Sequence, residues 1–287
     1  MSVHFDNAVI IGVGLLGGSL GLALKQRGLA AKVVGIGRNR SSLEKAIDCG
    51  AIDSAVMDSD LAGACADADL IVVSTPVQKA VSAVEDLAAC VGPGAIATDV
   101  ASTKGGICAA ARAAWPAPRR FVGSHPMAGS EKHGPEHASA DLFVNHVCLV
   151  EDAADLDHQA HARIVALWEA VGARVVPVDA VAHDDILART SHVPHVLAAA
   201  LAQLAARRGD VRDFVGNGFR DTTRIAASRP EVWRDICLSN RNAVLHALDE
   251  YAQVLEALRD ALADDDAAAV EAFFAQGNDA RKRILGA

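Results

Sequence analysis

A chain of 287 residues, 51% hydrophobic and 22% charged, has enough apolar surface for two packed domains. Its formal net charge of −9 excludes a general nucleic-acid binder and a protein docked on anionic membranes, since both need a basic face. Six scattered cysteines without a CxxC spacing, together with no uninterrupted apolar run of about 18 residues, point to reduced thiols in a cytoplasmic protein.

In chain order, the apolar run at 8–11 predicts a first strand. It leads into Gly12-Val13-Gly14-Leu15-Leu16-Gly17 and then a helix reaching residue 27. Further buried strands are expected at 32–36, 70–73, 95–98 and 121–123, separated by Ala-rich helical stretches, with extra strands at 147–150 and 174–178. Alternation of this kind predicts a parallel sheet with crossover helices on both faces. From about residue 181 the character changes. The stretches 181–208, 230–263 and 266–285 read as helices, with Pro230 in a first turn and Ser228 as its candidate cap. The expected architecture is an α/β Rossmann-type dinucleotide-binding domain at 1–178, followed by an all-helical domain at 179–287. Apolar stripes in the second domain predict a homodimer.

A GxGxxG after a strand and opening a helix is the context its mechanics require. Gly12 permits the tight turn, Gly14 lets a pyrophosphate approach the backbone, and Gly17 allows close helix–sheet packing. Leu15 and Leu16 then present the helix N-terminus to phosphate. The second strand ends in Gly37-Arg38-Asn39-Arg40-Ser41, without the acid that bonds a ribose 2′-hydroxyl in NAD readers. Arg38 or Arg40 suits a 2′-phosphate, so NADP is favoured over NAD. Ser74, Thr75 and Pro76, after the strand at 70–73, are expected to border the cofactor.

His125, in Ser124-His125-Pro126-Met127-Ala128-Gly129, is expected on a loop at the carboxyl edge of the sheet. There an imidazole can take a hydroxyl proton near neutral pH. His133 and His137 share helical i, i+4 spacing but have no third ligand, so no metal is expected.

These motifs resemble the prephenate/arogenate dehydrogenase family of tyrosine biosynthesis. The likeness spans Gly12 to Ser19, Asp99-Val100-Ala101-Ser102-Thr103-Lys104, Gly123 to Gly129 with Glu131, and Ser191-His192-Val193-Pro194-His195. It ends in Gly218-Phe219-Arg220-Asp221-Thr222-Thr223-Arg224-Ile225-Ala226, with Ser228, Pro230, Trp233, Asp235, Ile236 and Asn240. The resemblance implies oxidation of a cyclohexadienol ring alcohol with loss of the ring carboxylate, hydride passing to nicotinamide and the hydroxyl proton to His125. It implies that Ser102 hydrogen-bonds this histidine and the substrate hydroxyl, though a helix N-cap is the competing reading. It also implies that Arg224 grips a substrate carboxylate, that His195 and His192 line the cleft, and that Glu131 and Asp221 form an acidic pair at its mouth. Ser228 is placed with the substrate-binding residues. Trp233 is read as either a pocket wall or a core aromatic, and Lys104 as a surface lysine.

A β-hydroxyacid-type dehydrogenase is disfavoured because 181–208 contains no lysine, which that chemistry needs on the first interdomain helix. A non-enzymatic NADP-sensing module would keep the glycine turn but have no use for Ser102, His125, His195 and Arg224 together.

Overall fold

A computed structural model of the chain describes residues 3–129 and 132–286, so the Glu131 expected at the cleft mouth lies outside the described residues. By internal contacts the chain divides into two compact units, Met1–Asn240 and Arg241–Ala287.

The first unit begins with the alternation read from the sequence: β1 (Phe5–Ile11), α1 (Leu15–Gln26), β2 (Ala30–Gly37), α2 (Arg40–Asp48), β3 (Ser54–Met57) and the short α3 (Leu61–Cys65). It continues with β4 (Leu70–Val73), α4 (Val77–Ala88), β5 (Ile96–Asp99), α5 (Gly105–Ala114) and β6 (Phe121–Val122). The six strands form one parallel sheet in the order β3-β2-β1-β4-β5-β6. β4 and β5 are buried along their whole length because apolar layers cover both faces. Ile10 and Val72 point into one layer with Leu20, Leu24 and Trp168, while Val9, Ile71 and Val73 point into the other with Ala80, Val84 and Ile107. That division follows the period of two along a strand. The edge strand β3 was not expected, since its half-exposed Ser-Ala-Val-Met has no distinctive pattern.

Strand order reverses at the neighbours β1 and β4, so a crevice opens beyond their carboxyl ends. Their exits nearly touch: a Cβ added to Gly12 would stand 2.6 Å from the Ser74 carbonyl oxygen.

His125 does not lie on a loop. It sits in β7 (Ser124–Pro126), antiparallel to β8 (Val147–Glu151) and opposite Leu149. β8 in turn runs parallel to β9 (Arg174–Val178), with α6 (His158–Ala170) as the crossover, so the two late strands belong to a separate three-stranded sheet. The chain leaves the large sheet at Gly123, where a side chain would press on Cys108 Sγ. A strand of three residues held between a glycine and a proline is too short to register as a pattern.

The helix expected over 181–208 is α7 (Ala180–Leu187), a π turn (Ala188–His192) and α8 (Val193–Ala206). Pro194 stands in the first turn of α8, where a missing N–H is tolerated, directly after the π turn whose closing Val193 N–H donates to Ala188 O. α9 (Asn217–Thr223) runs into a 3-10 turn (Arg224–Ala227), then α10 (Pro230–Ser239). The N-cap of α10 is Arg229 rather than Ser228, and no side chain caps it. The helix expected over 230–263 breaks at Asn240, where φ −109° and ψ 33° leave helical geometry.

The second unit consists of α11 (Arg241–Ala263) and α12 (Ala267–Leu285), the latter capped by the Asp266 carboxylate on Ala269 N–H at 3.0 Å. It leaves large apolar side chains in solvent, including Phe274 (65% exposed) and Ile284 (78%). Among the described residues no helix is long and apolar enough to cross a membrane. The six cysteines are free, with Cys65, Cys108 and Cys148 buried.

Candidate active site

The crevice beyond β1 and β4 is a cavity of about 960 Å³. Its walls include Gly12, Gly14, Leu15 and Leu16 after β1, Arg38 and Asn39 after β2, and Ser74, Thr75 and Pro76 after β4. Ser102, after β5, lines it as well. Gly17 and Arg40 are not among the walls. Gly17 is buried where a Cβ would run into the Gly12 carbonyl, which is its packing role, while Arg40 is exposed at the start of α2. Asn39 caps α2 by accepting from Ser42 N–H at 3.2 Å.

Several features fit a dinucleotide. No side chain caps α1, so its first-turn N–H groups remain available to phosphate. A Cβ on Gly14 would meet nothing within 4 Å, which leaves open space over those groups. Thr75 Oγ1 is buried at the cavity wall without a partner, a polar atom waiting for one. No acid stands at the end of β2, although Asp58 also lines the cavity.

His125 is held by a relay that sequence reasoning missed. Its Nδ1 lies 2.9 Å from His183 Nε2, and His183 Nδ1 lies 2.9 Å from Asp184 Oδ1. A carboxylate only accepts, so His183 carries its proton on Nδ1 and offers a lone pair at Nε2. His125 must then donate from Nδ1, which leaves its own Nε2 as a free base. Burial, followed by the neighbouring His183, Lys104 and His192, holds the His125 imidazole well below its ordinary value. It is therefore neutral at physiological pH. The expected Ser102–His125 hydrogen bond is absent among the described residues. Ser102 is not a helix cap either: the first N–H groups of α5, on Lys104 and Gly105, donate to Asp184 at 2.7 and 2.8 Å. Lys104 is not a surface lysine but a buried one, ion-paired with Asp99. Nothing local signals the relay, because His125 and His183 stand 58 positions apart, and although Asp99 and Lys104 are only five residues apart nothing local marks their burial.

A second group of expected residues gathers on α8, the Arg224 turn and α10. The His195 ring stacks on Trp233 with centroids 3.5 Å apart, and His192 meets the same indole edge-on at 6.2 Å. His195 Nδ1–H donates to the Ser191 carbonyl at 2.9 Å, so Nε2 is left as an acceptor. Arg224 is exposed, yet near enough to depress His195, whose basicity burial lowers first. His192 Nδ1 accepts from Asn240 Nδ2 at 3.1 Å, which puts its proton on Nε2, a buried atom without a partner. Burial brings His192 down to about 4. Trp233 is half-buried, Ser228 precedes the α10 cap, and Asp221 is exposed on α9. Among the described residues no cluster of His, Cys, Asp or Glu could hold a metal ion.

A family model described as the nucleotide-binding domain of prephenate dehydrogenase matches residues 20–177, and one described as its dimerization domain matches residues 179–276. A prephenate dehydrogenase of Bacillus subtilis is 32% identical over 96% of this chain and 75% of its own length. A cyclohexadienyl dehydrogenase of Zymomonas mobilis is 32% identical over 91% of this chain and 90% of its own. The crystal structure of an A. aeolicus prephenate dehydrogenase with hydroxyphenyl propionate and NAD+ superposes at a TM-score of 0.91. It is 29% identical and covers 99% of this chain and 100% of that one. A Synechocystis arogenate dehydrogenase follows at a TM-score of 0.83 and 30% identity, covering 97% and 99%.

Proposed function

The chain belongs to the prephenate dehydrogenase family, and from that premise we propose that it converts prephenate to 4-hydroxyphenylpyruvate and carbon dioxide in tyrosine biosynthesis. The observation that carries the reading is the neutral His125, whose Nδ1 is committed to His183 and whose Nε2 is therefore unprotonated and able to accept. The nicotinamide of a bound dinucleotide supplies the hydride acceptor. His125 Nε2 takes the proton of the ring hydroxyl as hydride leaves the carbon bearing that hydroxyl; the dienone then loses its ring carboxylate as carbon dioxide, and the electron pair left behind makes the ring an aromatic phenolate, which is protonated to the phenol. Ser102, on the cavity wall, is assigned to the substrate hydroxyl. Arg224 is assigned to a substrate carboxylate, for which a guanidinium fork is suited. His195, backed by Trp233, is assigned to a second polar contact through its free Nε2, with His192 behind it. Asp221 is assigned to the cleft mouth, and Ser228 to the substrate side of α10.

Residues 1–178 form the nucleotide-binding domain and 179–287 the substrate and dimerisation domain in this proposal, consistent with the two family models. Dimerisation would cover the exposed side chains of α11 and α12, among them Leu255, Leu262 and Phe274. For the coenzyme, the walls after β2 favour NADP: Arg38 can pair with a 2′-phosphate, and no carboxylate at the strand end repels it.

The test is steady-state reduction at 340 nm with prephenate or arogenate against NAD or NADP. Turnover of prephenate with preference for NADP is expected, and Arg38→Ala should raise KM for NADP while leaving KM for NAD nearly unchanged. Turnover of arogenate alone rejects the substrate, and equal loss with both coenzymes rejects the Arg38 assignment.

A further inference from the structure

Lys104 is among the most deeply buried large side chains of the protein, 1% exposed, and its ammonium meets the carboxylate of Asp99, 0% exposed, at the end of β5. Taking both charges out of water is costly unless their remaining hydrogen-bonding capacity is used. On the Asp99 side that capacity is used in a way that converges on His125. Asp99 Oδ1 accepts from Ser124 N–H at 3.0 Å, one residue before His125. Its Oδ2 accepts from Ala101 N–H at 2.9 Å, one residue before Ser102, as well as from the lysine. The backbone N–H of Lys104 donates to Asp184 Oδ1 at 2.7 Å, the oxygen that also holds His183, which in turn holds His125. A closed circuit therefore runs from His125 through His183, Asp184, Lys104 and Asp99 to Ser124 and back along the chain. The lysine stem completes the packing, since its Cδ would lie 3.3 Å from any Cβ at Gly123.

We propose that the buried Asp99–Lys104 pair is a positioning unit: it keeps the peptide carrying Ser102 and the strand carrying His125 in one register and closes the circuit that orients the imidazole. The proposal rests on His125 as the proton acceptor of the proposed reaction. Neither residue lines the dinucleotide cavity and neither is a reacting group. The groups that act on the His125 ring are His183 on α7, Lys104 ahead of α5 and His192 in the π turn, and the buried Cys148 thiol of β8 meets its backbone N–H. Each of the three lowers its basicity, so removing the lysine charge moves the His125 titration upward.

Lys104→Met keeps the stem and removes the charge. Because it strands a buried carboxylate, Asp99→Asn/Lys104→Met is prepared beside it. In each folded variant the dissociation constant for the reduced coenzyme should stay within about twofold, while kcat falls by roughly 10- to 100-fold, as misplacement of a reacting group predicts. In Lys104→Met the His125 midpoint, read by histidine NMR without substrate, should rise. Wild-type kcat in either folded variant, or an unmoved His125 midpoint in Lys104→Met, overturns the proposal. Failure of both variants to fold overturns it too, by making the pair a structural element only. Absence of prephenate turnover by the unmodified protein would defeat the functional reading instead, and the NMR titration still reports on the pair.

Discussion

At the scale of single residues the chemistry turns on which nitrogen of His125 is free. The relay to His183 and Asp184 leaves Nε2 unprotonated, and burial keeps it so. His125→Asn should therefore lower kcat by about 10²–10⁴ with coenzyme binding intact; fluorescence titration and single-turnover rates check both halves. Arg224→Ala should act on KM for prephenate. The loss is about 2–5 kcal/mol in kcat/KM if the carboxylate pair is desolvated in the complex, and an unchanged KM assigns the carboxylate to another group. His125 stands out in the sequence, and the family resemblance singles out His195 and Arg224, because the motifs that carry them are contiguous. His183 and Asp184 could not: in an Ala-His-Asp-Asp stretch of helix they look like ordinary surface residues, and their partner lies 58 positions away.

At the scale of elements, the strand–turn–helix of the nucleotide site was legible because each glycine has a local reason. Gly17 shows it best, packed so that a side chain would strike the Gly12 carbonyl. Gly17→Ala should push α1 off the sheet, destabilise the fold by about 1–3 kcal/mol and weaken coenzyme binding, as thermal melts with and without coenzyme would show. A melt unchanged in both respects would mean that α1 can shift freely. The helical stretches were legible in kind but not in their ends. The break at Asn240 is fixed by contacts rather than propensity, since its Nδ2 is turned toward the Asp184 carbonyl at 2.7 Å and toward His192, at the end of the π turn. That bond ties α10 to the helix carrying the relay.

At the scale of the whole molecule, acid should unfold the protein early, and the sign is set by the buried groups. His125 and His192 are held below their unfolded value of about 6.5, so the unfolded chain binds more protons as pH falls past that value. Asp155, near 2, and the lowered Glu151 and Asp184 act in the same direction, because their stabilisation is lost as they protonate, while Asp99, which burial raises, opposes them in part. The melting temperature should fall steadily from pH 6.5 to 4, and the acid limb of kcat/KM should lie below 6.5. A melting temperature flat over that range would mean that these histidines already carry protons in the fold. Sedimentation should give about twice the 29.8 kDa of one chain if α11 and α12 are covered by a second copy.

The strand–helix alternation, the glycine turn, the helical second half and the family motifs are local or periodic features, so they can be read along one dimension, whereas the strand order and the edge strand β3 could not. The placement of His125 on a strand of a second sheet, its proton relay, and the burial of Lys104 against Asp99 came from tertiary structure alone. Their energies arise when charged and polar groups are desolvated together by elements distant in the chain, and no local pattern records which groups that packing will bury.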